Sequence, residues 1–248
     1  MDNRPILFLI GHAGGFALSY AANFKIAFPK PCPFQLEPLE LPGHGGRLSE
    51  NLLMNLLDME ADLRSQLLKK AQGREYAIFG HSMGGLLGYL LSANLKERYD
   101  SAPEWLFISS SSIPGQFSIG NDLLALGDHD FWRACNRHFG SVKKVEALIN
   151  DDSLRELFVP ILRADLGAIL NHSQAPWPRL TCPVGVIYAD GDTVTGLDMA
   201  AWQRYFSQPL ELFKVSGGHF HPLDSPDRIA EIITRLYNSG ARERTCLK

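Results

Sequence analysis

Cysteine is scarce in this sequence and is not spaced for metal binding or disulfide formation. The 248 residues include four cysteines, which lie far apart: Cys32, Cys135, Cys182 and Cys246. There is no Cys-x-x-Cys pair and no Cys/His ligand spacing. The sequence therefore supports neither a zinc site nor a disulfide framework, and we expect reduced thiols and no bound metal.

The sequence also lacks a long apolar run and an excess of positive charge. The apolar run near the N-terminus, Pro5 to Ile10, is far shorter than the roughly 20 residues that a membrane-spanning helix needs. A net charge of -3 argues against a nucleic-acid-binding protein, which is usually basic. We expect a cytoplasmic protein that binds neither membranes nor nucleic acid.

No shift in composition and no Pro/Gly/Ser-rich linker divides the chain. Hydrophobic residues make up 45% of it, which is enough to bury one sizeable core. We therefore predict a single domain over residues 1–248, and we expect a monomer.

Short apolar runs alternate with helical patterns along the chain. Apolar residues spaced three or four apart predict helices at 56–67, 86–95 and 229–236, the last with Ser225 as a candidate N-cap. Strands that alternate with helices indicate a mostly parallel sheet with helices on both faces. Six runs predict strands: ILFLI (6–10), FQLEPLEL (34–41), YAIFG (76–80), WLFISS (105–110), VGVIY (184–188) and LELFKV (210–215).

The alternation stops between residues 111 and 178. This segment contains no convincing strand, but it has helical stretches at 128–140 and 151–170. A helical insertion between two strands of a sheet is typical of a lid over a site. We predict a lid here, with a packed peripheral helical subdomain as the alternative.

A glycine-flanked serine follows the third predicted strand. In GHSMGG, residues 80–85, Ser82 lies between an apolar run and a helical pattern. A G-x-S-x-G sequence alone is weak evidence, but a strand before it and a helix after it provide the sharp turn that exposes a serine hydroxyl. No lysine follows the glycines and position 82 is not glycine, which excludes the common phosphate- and dinucleotide-binding loops. We predict that Ser82 is a nucleophile.

A serine nucleophile needs a base, and the chain has eight histidines. His219, which follows the last predicted strand, is the preferred base, and His221 is the alternative. His12 and His81 adjoin the predicted site, where a structural or substrate-facing role is expected. The other four are interpreted as surface or lid residues: His44, His129, His138 and His172.

The α/β-hydrolase arrangement places its catalytic residues in the order serine, acid, histidine, each after a strand. The segment YADGDTV after the fifth predicted strand offers two acids, Asp190 and Asp192. Asp190 falls in the turn, where its side chain can cap backbone N–H groups. Asp192 lies further into the loop, from which it can reach the imidazole. We favour Asp192 and leave Asp190 as the alternative.

The developing oxyanion of an acyl-transfer reaction needs two N–H donors. In this arrangement one donor is the residue after the nucleophile, here Met83. The other comes from the loop after the first strand, here GHAGG at 11–15. Ala13 is the candidate in that loop by its position.

Five stretches together resemble the stand-alone type II thioesterases of polyketide and nonribosomal peptide synthesis, over nearly the whole chain. The segment LFVPILRAD is the most specific, because hydrolases in general have no reason to carry it. Three positions depart from the family pattern: Gly11 replaces a proline, His44 an arginine and Ala189 a glycine. The stretches are HAGG (12–15), LPGHGGRLSE (41–50), GHSMGG (80–85), LFVPILRAD (157–165) and GGHF (217–220).

The resemblance implies an α/β-hydrolase fold with a helical lid insertion at about 111–178. It also implies hydrolysis of acyl thioesters on the phosphopantetheine arm of acyl or peptidyl carrier proteins, without a cofactor, to remove misprimed or stalled chains in antibiotic biosynthesis. A small-molecule esterase or acyltransferase on the same fold is the alternative, and a non-catalytic binding protein is a second. The site residues implied are Ser82, His219 and Asp192, with Ala13 and Met83 as oxyanion donors.

Overall fold

The computed structural model describes residues 4–117, 119–140, 151–172, 177–194 and 198–246, with side chains described as far as residue 239. Six strands form one sheet, and each neighbouring pair is parallel. The strands are β1 Ile6–Ile10, β2 Gln35–Pro38, β3 Tyr76–His81, β4 Leu106–Ser109, β5 Val184–Ala189 and β6 Glu211–Val215. Their order across the sheet is β2-β1-β3-β4-β5-β6. All six predicted strands and the parallel sheet are confirmed.

Helices connect the strands, and they include the helices predicted at 56–67, 86–95 and 229–236. The helix predicted at 229–236 begins at Pro226, directly after Ser225. Short 3₁₀ helices cover Gly45–Arg47 and Met199–Tyr205. The α-helices are α1 Ala17–Ala27, α2 Leu56–Ala71, α3 Met83–Tyr99, α4 Asn121–Leu124, α5 Asp128–Phe139, α6 Asp152–Leu170, α7 His221–Asp224 and α8 Pro226–Cys246.

Helix α1 is not predicted from the sequence. Its buried side chains, Ala17, Tyr20 and Phe24, have helical spacing. Its start carries no side-chain cap, however, because Phe16 occupies the N-cap position. The usual sequence signal for a helix start is therefore missing here.

The sheet buries both of its faces, as the alternating side chains of β1 show. Ile6, Phe8 and Ile10 belong to the core on the side of α2 and α3, and Leu7 and Leu9 to the core on the side of α1 and α8. All five residues are almost inaccessible to solvent. A strand buried on both faces reads as a continuous apolar run, and this explains the sequence ILFLI.

Strand β2 is shorter than the predicted run 34–41. It lies at the edge of the sheet and pairs with β1 alone among the described strands. Proline has no N–H group to donate to a neighbouring strand, so Pro38 is tolerated at this edge but weakens the pairing. One further bond, from the Leu39 N–H to the Leu9 carbonyl at 2.9 Å, ends the pairing.

Helices α4, α5 and α6 lie between β4 and β5, within the insertion predicted at 111–178. Helix α6 begins where the Asp151 carboxylate accepts hydrogen bonds from the N–H groups of Ser153 and Leu154. The described part of this segment contains no strand, as the sequence predicts. Residues 118, 141–150 and 173–176 of the segment lie outside the described residues.

Two negative predictions concern membranes and disulfides. Among the helices that the structure describes, none combines the length and the apolar character needed to cross a bilayer. Cys32, Cys135 and Cys182 are free thiols, and the side chain of Cys246 lies beyond the described side chains.

Candidate active site

The predicted site residues follow the carboxyl ends of four strands. The loop 11–15 follows β1, Ser82 follows β3, Asp192 follows β5 and His219 follows β6. In a parallel sheet these ends lie at one edge. The order of the strands also reverses next to β1, and such a reversal opens the crevice in which open α/β sheets bind their ligands.

Ser82 lies on a strained turn between β3 and α3. Its backbone angles are φ 55° and ψ -120°, a region that non-glycine residues rarely adopt and that costs about 1–3 kcal/mol. Glycines make the close approach around it possible. A Cβ atom on Gly80 would lie 2.0 Å from the Gly84 carbonyl oxygen, and one on Gly84 would lie 2.4 Å from the Ile10 carbonyl oxygen. The turn therefore depends on the glycines that flank the serine.

The structure brings Ser82, His219 and Asp192 into one chain of hydrogen bonds. The Ser82 Oγ lies 3.0 Å from His219 Nε2, and His219 Nδ1 lies 3.0 Å from Asp192 Oδ2. A carboxylate can only accept, so Nδ1 carries the proton that it donates to Asp192. In the neutral ring Nε2 then holds a lone pair directed at the serine hydroxyl. This is the arrangement of a nucleophile, a base and an orienting acid.

Asp192 is buried but well supplied with donors. Its Oδ1 accepts a hydrogen bond of 2.9 Å from the Val194 N–H, while the Ser110 side chain is a further partner. Burial raises the pKa of this carboxyl, but the hydrogen bond and charge of His219 outweigh it, and the pKa falls to about 2. Asp192 is therefore a carboxylate at neutral pH.

Asp190 has a different position. Its Oδ1 accepts a hydrogen bond of 3.2 Å from the Gly217 N–H, which ties the loop after β5 to the loop after β6. This is the backbone-capping role expected from the position of the nearer acid in the turn. The imidazole of His219 faces Asp192 and not Asp190.

His221, the alternative base, bonds to serines other than Ser82. Its Nε2 lies 3.3 Å from Ser109 Oγ and 3.2 Å from Ser110 Oγ, and the residue is almost fully buried. Burial lowers the pKa of this imidazole to about 4. His221 therefore packs beneath the site as a neutral side chain.

His12 and His81 complete a cluster of imidazoles around His219. His12 Nδ1 lies 2.6 Å from the Tyr20 hydroxyl, and His81 Nδ1 lies 3.1 Å from Ser109 Oγ. Burial lowers the pKa of both, to about 3 for His12 and well below the usual value for His81. Both rings are therefore neutral, so they add no positive charge beside the imidazole that would act as the base.

The interpretation of His44 as a surface or lid residue is wrong. Its side chain is buried, and Nε2 forms an ion pair of 2.9 Å with Asp165 Oδ2 on α6. The reason is tertiary: α6 packs against the loop that carries His44. Of the other three histidines in that group, His129 is exposed on α5, and His138 and His172 lie within the insertion as expected.

Asp165 received no individual role from its sequence. Two signals mark it there: it closes LFVPILRAD, the most specific of the family-like stretches, and it is a carboxylate next to the apolar run LGAIL. In the structure it is completely buried, and its Oδ2 also accepts a hydrogen bond of 2.7 Å from the Gly14 N–H. It thereby joins α6 to the loop predicted to supply an oxyanion donor.

The backbone donors predicted for the oxyanion border the same cavity as Ser82. Met83 is the first residue of α3, where helix N–H groups have no intrahelical acceptor and the helix dipole favours negative charge. Ala13 lies in the loop after β1, and both residues line the cavity together with His219. The structure thus places the two predicted donor residues beside the serine.

A large apolar cavity of about 540 Å³ opens at Ser82. Its volume is in the range of small-molecule sites, 300–1,000 Å³. Side chains from α5 and α6 form much of its wall, so the insertion encloses the space above the serine. The apolar side chains that line it include Leu86, Phe117, Trp132, Phe139, Phe158 and Leu162.

The described residues contain no group of three or more His, Cys, Asp or Glu side chains arranged to hold a metal ion. Cys135, which lines the cavity, is a buried thiol whose pKa burial raises to about 12. Its thiol is therefore un-ionised and a poor nucleophile at neutral pH. Ser82 and His219, which also line the cavity, are hydrogen-bonded to each other.

Comparison with known proteins places this geometry in a family context. The model of the thioesterase domain family matches residues 5–237. The chain is similar to Thioesterase PikA5 of Streptomyces venezuelae, with 30% identity over 233 residues that cover 92% of this chain and 79% of the relative.

Solved structures give the same result. The chain is similar to ClbQ from the colibactin NRPS/PKS pathway, with a TM-score of 0.88, 25% identity and coverage of 96% of this chain and 98% of that one. It is also similar to the type II thioesterase BorB from the borrelidin biosynthetic cluster, with a TM-score of 0.78, 27% identity and coverage of 96% and 94%. The predicted α/β-hydrolase fold is confirmed by these similarities.

Proposed function

The chain belongs to the thioesterase domain family, as its motifs predict, and on this premise we propose that it hydrolyses acyl thioesters carried on the phosphopantetheine arm of acyl or peptidyl carrier proteins. The observation that carries the proposal is the hydrogen-bonded chain Ser82–His219–Asp192 at the mouth of an apolar cavity. The serine supplies the nucleophile, and the cavity suits an apolar acyl group.

In the first half of the proposed reaction, Ser82 Oγ attacks the thioester carbonyl carbon while His219 Nε2 takes the hydroxyl proton. Asp192 holds the Nδ1–H and stabilises the imidazolium that forms. The N–H groups of Ala13 and Met83 bind the oxyanion. As the tetrahedral intermediate collapses, the C–S bond breaks, His219 protonates the leaving sulfur, and the acyl group remains on Ser82.

The second half returns the enzyme to its starting state. A water molecule attacks the acyl-serine carbonyl and gives a proton to His219. The C–O bond to Ser82 then breaks, and His219 returns the proton to Oγ. The sum of both halves is thioester plus water giving carboxylic acid plus thiol, so the protein's own side chains balance every proton and no cofactor is required.

Helices α5 and α6 act as a lid in this proposal. They wall the cavity, and a wall around the acyl group excludes water other than the attacking molecule. The neighbours named for NRPS/PKS pathways support a role in clearing misprimed or stalled carrier proteins. The chain would meet these carrier proteins in the cytoplasm, as a monomer.

Mass spectrometry of several acyl-loaded carrier proteins tests the proposal. We expect the wild-type protein to return the carrier proteins to their free-thiol form. Ser82→Ala should slow this by about 10⁶-fold, as loss of a catalytic serine does in other serine hydrolases.

Two controls distinguish the alternative functions. Turnover of simple esters far above that of every thioester would support a small-molecule esterase instead. Failure of a fluorophosphonate to label Ser82, together with full function of Ser82→Ala, would support a non-catalytic binding protein.

A further inference from the structure

The strongest feature outside the three proposed catalytic side chains is the buried contact among Asp165, His44 and Gly14. One carboxylate oxygen, Asp165 Oδ2, lies 2.7 Å from the Gly14 nitrogen and 2.9 Å from His44 Nε2. The other oxygen, Oδ1, is buried without a hydrogen-bond partner among the described residues. Among the described residues, Oδ2 accepts both hydrogen bonds of this carboxylate.

The geometry of His44 determines its charge. Its Nδ1 lies 3.0 Å from the Pro42 carbonyl oxygen, and its Nε2 faces the Asp165 carboxylate. Both partners are acceptors, so both ring nitrogens must carry a proton. His44 is therefore an imidazolium paired with a carboxylate, and it has no lone pair with which to act as a base.

The loop that carries His44 is itself held in place. Arg47 donates to the Asp62 carboxylate on α2, to Glu50, and to the backbone carbonyl of Glu40. These bonds fix the turn around the 3₁₀ helix Gly45–Arg47. His44 thus provides a rigid, positively charged support for Asp165.

Helix α6 presents one face to the loop after β1. Leu162 and Asp165, three residues apart, both contact Gly14, while Phe158 lies against Phe16 with ring centroids 5.5 Å apart. Gly14 has φ +73°, and an added Cβ would lie 3.1 Å from Leu162 Cδ1. The backbone of this loop is therefore shaped by its contact with α6.

We propose that Asp165 is a positioning residue for the oxyanion site: held by the His44 imidazolium, it fixes the Gly14 N–H and thereby aims the neighbouring Ala13 N–H at the substrate carbonyl. The inference rests on the proposed function. It makes catalysis depend on the packing of the insertion, because Asp165 belongs to α6 while Ala13 belongs to the central sheet's first loop. Displacement of α6 would break the hydrogen bond from the Gly14 N–H to Asp165, and the Ala13 N–H would no longer be held in position.

Asp165→Asn is the direct test, because an amide keeps the shape but loses the charge that holds the His44 imidazolium. With a simple acyl-pantetheine thioester, we expect kcat to fall about 10- to 100-fold, somewhat less than loss of a whole oxyanion donor, and KM to stay within about threefold. The effect falls on kcat and not on KM because a correctly oriented N–H binds the oxyanion of the transition state more strongly than the carbonyl of the bound substrate.

Asp152→Asn is the matched control. Asp152 lies at the exposed start of the same helix, where it pairs with Arg155, and this substitution should leave kcat and KM unchanged. A folded Asp165→Asn protein whose kcat is within about twofold of wild type would overturn the inference. In that case the proposed function would still stand, provided that Ser82→Ala abolishes turnover.

A second variant keeps the inference testable if Asp165→Asn does not fold. The ionisable groups around His44 are Asp165 on α6, Glu40, which precedes the loop that carries His44, and the neutral His12. Burial lowers the pKa of the His44 imidazole, but Asp165, the Pro42 carbonyl and Glu40 together outweigh it and the net shift is upward. The imidazolium is therefore present below this raised pKa and is lost as the pH rises through it.

We accordingly expect the kcat of the wild-type protein to decline on the alkaline side as His44 loses its proton. His44→Arg carries a charge that persists at every accessible pH, so its profile should lack that decline. An identical alkaline limb in the two proteins would overturn the inference, whatever the outcome for Asp165→Asn.

Discussion

Two buried His–Asp pairs, His219–Asp192 and His44–Asp165, differ in what the second ring nitrogen of the histidine faces. In the His219–Asp192 pair, the ring nitrogen that does not face the carboxylate lies next to the Ser82 hydroxyl, which can donate a proton. In the His44–Asp165 pair, the corresponding nitrogen lies next to the Pro42 carbonyl oxygen, which can only accept a hydrogen bond. The first imidazole can therefore be neutral and act as a base, whereas the second is held as a cation. The partner of the second nitrogen, and not the carboxylate, decides the chemistry.

The two pairs also hold their carboxylates differently. Asp192 receives hydrogen bonds on both oxygens, from Val194 and His219. Asp165 receives both of its bonds on one oxygen, and its other oxygen has no partner among the described residues. Because Asp165 Oδ2 accepts from both the Gly14 N–H and His44, this carboxylate joins the loop to the histidine, and this fits Asp165 for a supporting role rather than for proton transfer.

Exchanging each histidine for glutamine gives the largest expected contrast. His219→Gln removes the proposed base, and kcat should fall by about 10⁵-fold or more. His44→Gln keeps an N–H group near Asp165 but removes the charge, and kcat should fall by about tenfold or less. Single-turnover assays with an acyl-pantetheine thioester measure both. Equal losses in the two variants would break the distinction between base and support.

The two acids of the loop after β5 provide the next contrast. Asp192→Asn should lower kcat by about 10⁴-fold, because an amide N–H facing Nδ1 favours the tautomer in which Nε2 already carries the proton. Asp190→Asn should change kcat by less than about threefold, since Asp190 bonds to the Gly217 backbone and not to the imidazole. Both variants are measured with the same thioester at neutral pH. A larger loss of kcat in Asp190→Asn than in Asp192→Asn would show that Asp190 is the acid that orients His219.

The smallest expected effect is on stability in acid. The pKa of Asp192 is lowered from 3.8 to about 2, so its ionisation stabilises the folded state by about 2 kcal/mol above the pKa of the unfolded chain. This contribution is lost as the pH falls through 3.8 towards 2. In denaturant titrations, the stability advantage of the wild type over Asp192→Asn should be about 1 kcal/mol smaller at pH 3 than at pH 6. A constant difference would show that the charge of Asp192 adds nothing to the fold.

The sequence by itself determined the parts of this protein that depend on local patterns. The run ILFLI has the continuous apolar character of a strand buried on both faces. The strand, glycines and helix around Ser82 specify a sharp turn because a side chain at Gly80 or Gly84 would collide with backbone atoms. The order of serine, acid and histidine follows from strands that each end at the same edge of a parallel sheet. Each feature is readable from a short stretch of sequence or from the order of such stretches along the chain, although the contacts that it serves, such as that between Gly84 and the Ile10 carbonyl, join distant segments.

Only the tertiary structure decided between residues that are close together in sequence. Asp190 and Asp192 are two residues apart, as are His219 and His221. Their loops direct Asp192 to His219 and His219 to Ser82, whereas Asp190 bonds to the backbone and His221 to other hydroxyl groups. The pairing of His44 with Asp165 joins residues 121 positions apart, so no local pattern predicts it. It exists because α6 packs on the loop after β1, and packing between distant segments is a property of the folded chain.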